Sequence, residues 1–220
     1  MFLEDVIETL ALGGPLMIPI AGVCGLAWAL LAERWLWLHG QEDAARFSAE
    51  VAGLLEADGP AAALEACRMR RGMAARAAAR FLEALRGVPA SAVVSLAREA
   101  KLREFSGAAR GFPGIAVLAS VAPLLGLLGT VTGMIVTFHG ITEFGMGNPR
   151  SMAEGVSEAL ITTEAGLIVA LPTLIAHDWL KHRAERLLRS AEEFLARLGQ
   201  IAEGLEAIRD AGIAGKRGLP

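Results

Sequence analysis

The chain has no tyrosine, only two cysteines, and not one charged residue between Pro113 and Phe138. Each absence excludes something. Cys24 sits in an apolar stretch and Cys67 in a polar one, so the pair offers neither a disulfide framework nor a metal site. The four histidines, His39, His139, His177 and His182, lack metal-ligand spacing, and His177 and His182 stand beside Lys181 and Arg183 as interfacial residues do. A net charge of −3 without any basic-aromatic stretch argues against a nucleic-acid surface. No nucleophile–base pair, metal motif or phosphate loop is present, and no Ser-His or Asp pair lies at depth. No enzyme activity and no cofactor is therefore expected. Basic residues are also missing from positions 1–13, which carry only Glu4, Asp5 and Glu8. Without a positive n-region, the first apolar stretch reads as an uncleaved span and not as a signal peptide.

What is present is apolar bulk kept apart from charge. Hydrophobic residues make up 54% of the 220 positions, with a mean hydropathy of +0.46, yet 20% are charged. The two classes alternate in blocks, as in a polytopic membrane protein. Three blocks are long enough to cross a bilayer, which takes about 20 residues at about 1.5 Å rise each. They cover residues 14–38, 113–138 and 152–180. Residues 1–13 repeat apolar side chains at helical spacing (Phe2, Leu3, Val6, Ile7, Leu10) and predict an amphipathic helix on the outer membrane surface. Trp28, Trp35 and Trp37 near the end of the first span, and Trp179 near the end of the third, fit an aromatic belt at one interface.

Residues 39–112 read as polar helices broken at Gly59-Pro60, Gly72 and Gly87-Val88-Pro89. The last of these runs leads into the second span, which predicts a long helix entering the membrane with a kink near Gly111–Gly114. Residues 139–151 form a short loop. A charged helix from Lys181 to about Ile208 and a disordered end complete a tail over 181–220. Of the 21 Lys and Arg residues only Arg150 falls outside one shared side, which includes Arg34 at the edge of the first span. The positive-inside rule puts the 39–112 region and the C-terminus in the cytoplasm and the N-terminus in the periplasm. Arg34 is read as a topology and subunit-contact residue.

The second span is rich in small residues, with Gly126, Gly129 and Gly133 spaced to let helices approach closely. Thr130, Thr132 and Thr137 are its polar exceptions, and each can bond back to its own helix. The third span carries two carboxylates, Glu158 and Glu164. An ionisable group in a span costs about 2.5–3.5 kcal/mol or more at the membrane centre and by default faces a bundle interior or a wet path. Thr162 lies about 40° around the helix from Glu158, Thr163 about 140° and Glu164 about 240°, so the two acids do not share a face.

The run APLLGLLGTVTGM (Ala122 to Met134), followed by EALITTEAGLIVALP (Glu158 to Pro172), resembles the paired signature of the MotA/TolQ/ExbB proton-channel family, most like its ExbB branch. GGPLMIPI (Gly13 to Ile20) and LLAERWLWL (Leu30 to Leu38) resemble that branch's first helix. The resemblance implies an all-α membrane protein with three transmembrane helices and long helices extending into the cytoplasm, assembled as a homopentamer in the bacterial inner membrane. It further implies an ExbD-like single-span partner with a transmembrane Asp inside the pentamer and a TonB-like protein driven by it. The family's functional residues fall on Thr130, Glu158 and Thr163 as the ion path. Glu164 and Thr162 remain open between ion path and packing, because many members have a small or apolar residue where Glu164 stands. A TolQ-like subunit is the alternative within the family. A secondary transporter is disfavoured by the odd span count and the lack of an inverted repeat. A scaffold held by small-residue packing leaves both acids unexplained.

Overall fold

The computed structural model describes residues 13–85, 90–144 and 149–217. The expected amphipathic helix on Phe2–Leu10 and the break at Gly87–Pro89 lie outside the described residues. Among those described, the chain is helical, with no strand. Its elements are α1 (Met17–His39), a 3₁₀ turn (Ala44–Arg46), α2 (Ser48–Ala57), α3 (Pro60–Arg68), α4 (Met73–Ala84), α5 (Ala90–Phe105), α6 (Phe112–Phe144) and α7 (Pro149–Arg217). Three of these helices are long and apolar enough to cross a membrane. The chain divides into two compact units, residues 1–35 with 111–180 and residues 36–110 with 181–220.

The first unit holds the apolar parts of α1, α6 and α7. Buried positions recur on α6 at Ile115, Ala119, Ala122, Gly126, Gly129, Gly133 and Thr137, in steps of three or four. On α7 they recur at Gly155, Ala159, Thr162, Gly166, Ala170 and Thr173. This is the seven-residue rhythm of helices packed at a shallow angle. Most of these side chains are small, because within lipid the gain comes from close backbone contact and not from expelling water. Outward lie Leu124, Leu127, Leu128 and Ile135 of α6 and Leu160, Ile168, Leu171 and Ile175 of α7, all exposed. Both α6 and α7 continue through their internal prolines, Pro123 and Pro172.

One expectation is corrected here. The polar helix before the second span does not run into it: α5 ends at Phe105, residues 106–111 turn, and α6 starts afresh at Phe112. Gly111, at φ +83°, supplies the left-handed residue that ends the turn. A side chain there would also press on Arg34, whose Nε lies 2.7 Å from the Cβ position.

The second unit packs α2 to α5 with the charged part of α7. Phe47 and Phe194 meet edge to face at 5.2 Å, an arrangement adding about 0.5–1.5 kcal/mol beyond burial. Phe81, Leu82, Leu55, Leu195 and Leu198 are buried in this unit too. The α4 helix buries an alanine-rich face (Ala74, Ala75, Ala77, Ala78). Its opposite face carries Arg76 and Arg80, both paired with Glu104 of α5 at 3.0 and 2.8 Å. Gln41 ties the entry: its Oε1 accepts the Met73 N–H at 2.8 Å and its Nε2 donates to the Trp37 carbonyl at 3.3 Å. Cys67 is buried, which pushes its thiol up to about 11. At the end of the chain α7 is helical to Arg217, beyond the stop expected near Ile208.

Candidate functional site

The α6–α7 seam brings glycines of one helix onto hydroxyl-bearing turns of the other. A methyl at Gly126 would stand 3.0 Å from Thr163 Cα and 3.1 Å from the Thr162 carbonyl oxygen, and one at Gly133 would stand 2.9 Å from Ala159 Cβ. Gly166 is set against the Ala122 carbonyl, 2.7 Å from where its Cβ would be. These contacts leave no room for side chains, which is why the sequence has none there.

Hydroxyls fill the remaining polar need. Thr162 is buried against Gly129, and its hydroxyl has the Glu158 and Ala159 carbonyls of its own helix as alternative acceptors at 2.9 and 3.0 Å. Its place is inside the helix pair. Thr163, one residue on, reaches across: its Oγ1 donates to the Gly126 carbonyl at 3.0 Å, with the Ala159 carbonyl of its own helix at 3.2 Å as the other acceptor. A threonine has one proton to give, so the hydroxyl chooses between a bond across the seam and a bond along its helix. In an α-helix the Gly126 carbonyl also accepts the backbone N–H of residue 130. Thr130 and Thr163 are thereby joined through one carbonyl, while the Thr130 hydroxyl donates to Leu127 at 2.7 Å.

The structure does not add the two acids to this pair. Glu158 is half-buried, and its carboxylate lies against Gly14 at the start of α1. Glu164 is exposed and lines an open groove of about 590 Å³ with apolar residues of both helices, among them Met134, Phe138, Met152 and Leu160. Arg34 is buried with Gly111 packed on it. Phe112 and His177 meet edge to face at 5.8 Å, joining the start of α6 to α7. Among the described residues no group of His, Cys, Asp and Glu could hold a metal ion.

Sequence reasoning found the threonines and acids but missed Gly14 and Gly111, the residues against which Glu158 and Arg34 rest. The available signal was a glycine beside a helix-starting proline, in Gly13-Gly14-Pro15 and near Phe112-Pro113.

Comparison with known proteins bears on the same region. The family model described as "MotA/TolQ/ExbB proton channel family" matches residues 68–193, which contain all of α6 and the seam half of α7. The chain is 45% identical over 75 residues to the biopolymer transport protein ExbB of Aquifex aeolicus, covering 34% of this chain and 51% of that one. It is 34% identical over 116 residues to the Tol-Pal system protein TolQ of Pseudomonas aeruginosa, covering 51% and 48%. Against the biopolymer transport protein exbB1 of Vibrio cholerae it is 34% identical over 100 residues, covering 45% and 44%. The chain thus spans about half the length of the curated relatives it matches. With three bilayer-length helices and a family match over more than half of its residues, this chain belongs to the MotA/TolQ/ExbB proton channel family.

Proposed function

We propose that the protein is an ExbB-like subunit of an inner-membrane motor that turns proton motive force into mechanical work for TonB-dependent transport across the outer membrane. In this reading five copies surround the single helices of an ExbD-like partner, with α6 and α7 lining the pore, the N-terminus periplasmic and the C-terminus cytoplasmic. The observation that carries it is the Thr163 hydroxyl, poised between the Gly126 carbonyl across the seam and the Ala159 carbonyl along its helix. A hydroxyl with two nearby acceptors can turn toward a passing water or a partner carboxyl at little cost, since a second bond replaces the first. Thr130 offers a second hydroxyl, donating to the Leu127 carbonyl next to Gly126, and Glu158 a carboxylate about five residues, or about 7.5 Å, farther toward the outer end. The membrane potential supplies about 2.3 kcal/mol per charge per 100 mV. That exceeds the average of about 0.6 kcal/mol for a side-chain hydrogen bond between membrane helices. The driving force is therefore large enough to switch such bonds.

The identity to a Tol-Pal protein over 116 residues supports a TolQ-like subunit as the second reading. The two share the same ion path and differ in the protein driven.

The test is proton uptake into proteoliposomes holding the protein and a single-span partner with a transmembrane Asp. Glu158→Ala and Thr163→Ala are expected to assemble as pentamers by native mass spectrometry and to lose proton uptake. Normal uptake in both variants refutes the ion path. Complementation of strains lacking either relative separates the two readings: restored iron-chelate uptake marks the TonB role, restored envelope integrity the Tol role.

A further inference from the structure

Glu158 leaves α7 on the side of the α1 entrance and not in the seam with α6. Gly155, Ala159, Thr162 and Gly166 fill that seam, and Glu158 sits one residue, about 100°, before Ala159. Two glycines stand at the entrance of α1. Gly13 is buried, and a methyl on it would come 3.2 Å from Ile161 Cγ2 and closer still to Met17. Gly14 has φ +67°, where glycine is at ease and other residues are strained. Its carbonyl accepts the Met17 N–H at 3.2 Å and so opens the helix.

The space a Gly14 side chain would take is already filled. A methyl there would overlap Glu158 Oε1 and lie 2.7 Å from Cδ and 3.3 Å from Cγ. Ile161, which meets Gly13, is three residues beyond Glu158 and on the same face. Two neighbouring positions of α7 thus rest on two successive glycines. The contact with Gly14 limits where the Glu158 carboxylate can turn.

We propose that Gly14 is the positioning residue of Glu158: the glycine turn before α1 leaves the space the carboxylate occupies, so α1 and not α6 sets where the acid points. The functional consequence rests on Glu158 belonging to the ion path; the contact does not. Any movement of the α1 entrance would then be felt by the acid directly, which links the first span to the path without placing it in the pore.

A double-mutant cycle in the full-length protein tests this. Thermal midpoints are measured for the wild type, Gly14→Ala, Glu158→Ala and the double variant. The Gly14→Ala fall is expected to be large in the wild type and clearly smaller once Glu158 is Ala, because the backbone strain at φ +67° is common to both backgrounds and cancels. Equal falls overturn the proposal. Assembled Gly14→Ala is also expected to lose most of its proton uptake in proteoliposomes; retained uptake alongside a real coupling reduces the contact to packing and overturns the positioning role. If instead Glu158→Ala itself conducts normally, the place of Glu158 in the ion path fails while the cycle still judges the contact. Should Gly14→Ala not assemble in either background, the cycle is repeated with Gly14→Asn, a residue that tolerates the left-handed backbone better than alanine. A fall that shrinks once Glu158 is Ala supports the contact, and equal falls overturn it.

Discussion

Replacing Gly166 by alanine tests the tightest approach to backbone in the α6–α7 seam. The added Cβ would lie 2.7 Å from the Ala122 carbonyl oxygen, 3.2 Å from Gly126 Cα and 3.3 Å from Gly126 N. All three neighbours are backbone or Cα atoms, so no side chain can swing aside. Ordinary contact begins near 3.4 Å, and the helices must part locally by several tenths of an ångström. That movement acts on the Thr163 hydroxyl bond to Gly126, which starts at 3.0 Å and fails beyond about 3.5 Å. Overpacking of this kind costs about 1–3 kcal/mol, and losing the bond adds about 0.6 kcal/mol. Alanine's better helix propensity returns about 0.5–1 kcal/mol. The net expectation is a loss on the order of 1–2 kcal/mol, the overpacking term deciding the sign. Gly22→Ala in α1 is the control: nothing lies within 4 Å of its Cβ position, so only the propensity term remains. The assay is the unfolding midpoint in mild detergent, followed by helical circular dichroism, for both variants beside the wild type. Gly166→Ala falling no further than Gly22→Ala refutes the close-packed seam.

Further outcomes follow from the second unit. Glu104 is only 11% exposed in its side chain and faces Arg76 and Arg80 at 3.0 and 2.8 Å. Glu104→Gln is therefore expected to lower stability by about 1 kcal/mol after allowing for the half-exposed arginines, with the loss shrinking at high salt; a salt-independent midpoint counts against it. For Cys67 the folded thiol is raised to about 11 from an ordinary 9.0. Its burial then contributes stability in full below about pH 9, and that contribution is lost as pH climbs through 11. Maleimide labelling of Cys67 is accordingly expected to stay slow at pH 8 in the folded protein and to become fast on unfolding; rapid labelling of the native protein contradicts the burial.

How much of this was legible beforehand differs from element to element. The three spans could be read because apolar and charged residues are kept in separate blocks, and that segregation survives any detail of packing. The breaks at Gly59-Pro60 and Gly72 were equally readable, since helix α3 begins at Pro60 and α4 just after Gly72. The turn over residues 106–111 was not: Ser91 to Arg110 carries good helix formers, and what ends the helix includes a single left-handed glycine, Gly111. Wheel angles put Glu158 and Glu164 on different faces, and the structure has one half-buried and the other exposed.

Sequence by itself determined the membrane-spanning character, the small-residue surface of the second span and the short set of polar residues inside it. These are properties of composition and period, which a chain carries whatever it packs against. Only the tertiary structure decided how that set is divided. Thr162 and Thr163 are neighbours of the same type, yet one is sealed on Gly129 and the other bonds Gly126 across 37 positions of chain. Glu158 rests on Gly14, a residue far away in sequence. A helical period fixes the direction in which a side chain leaves its own helix, but which neighbour stands there depends on the register between helices. That register is set by where a glycine leaves room.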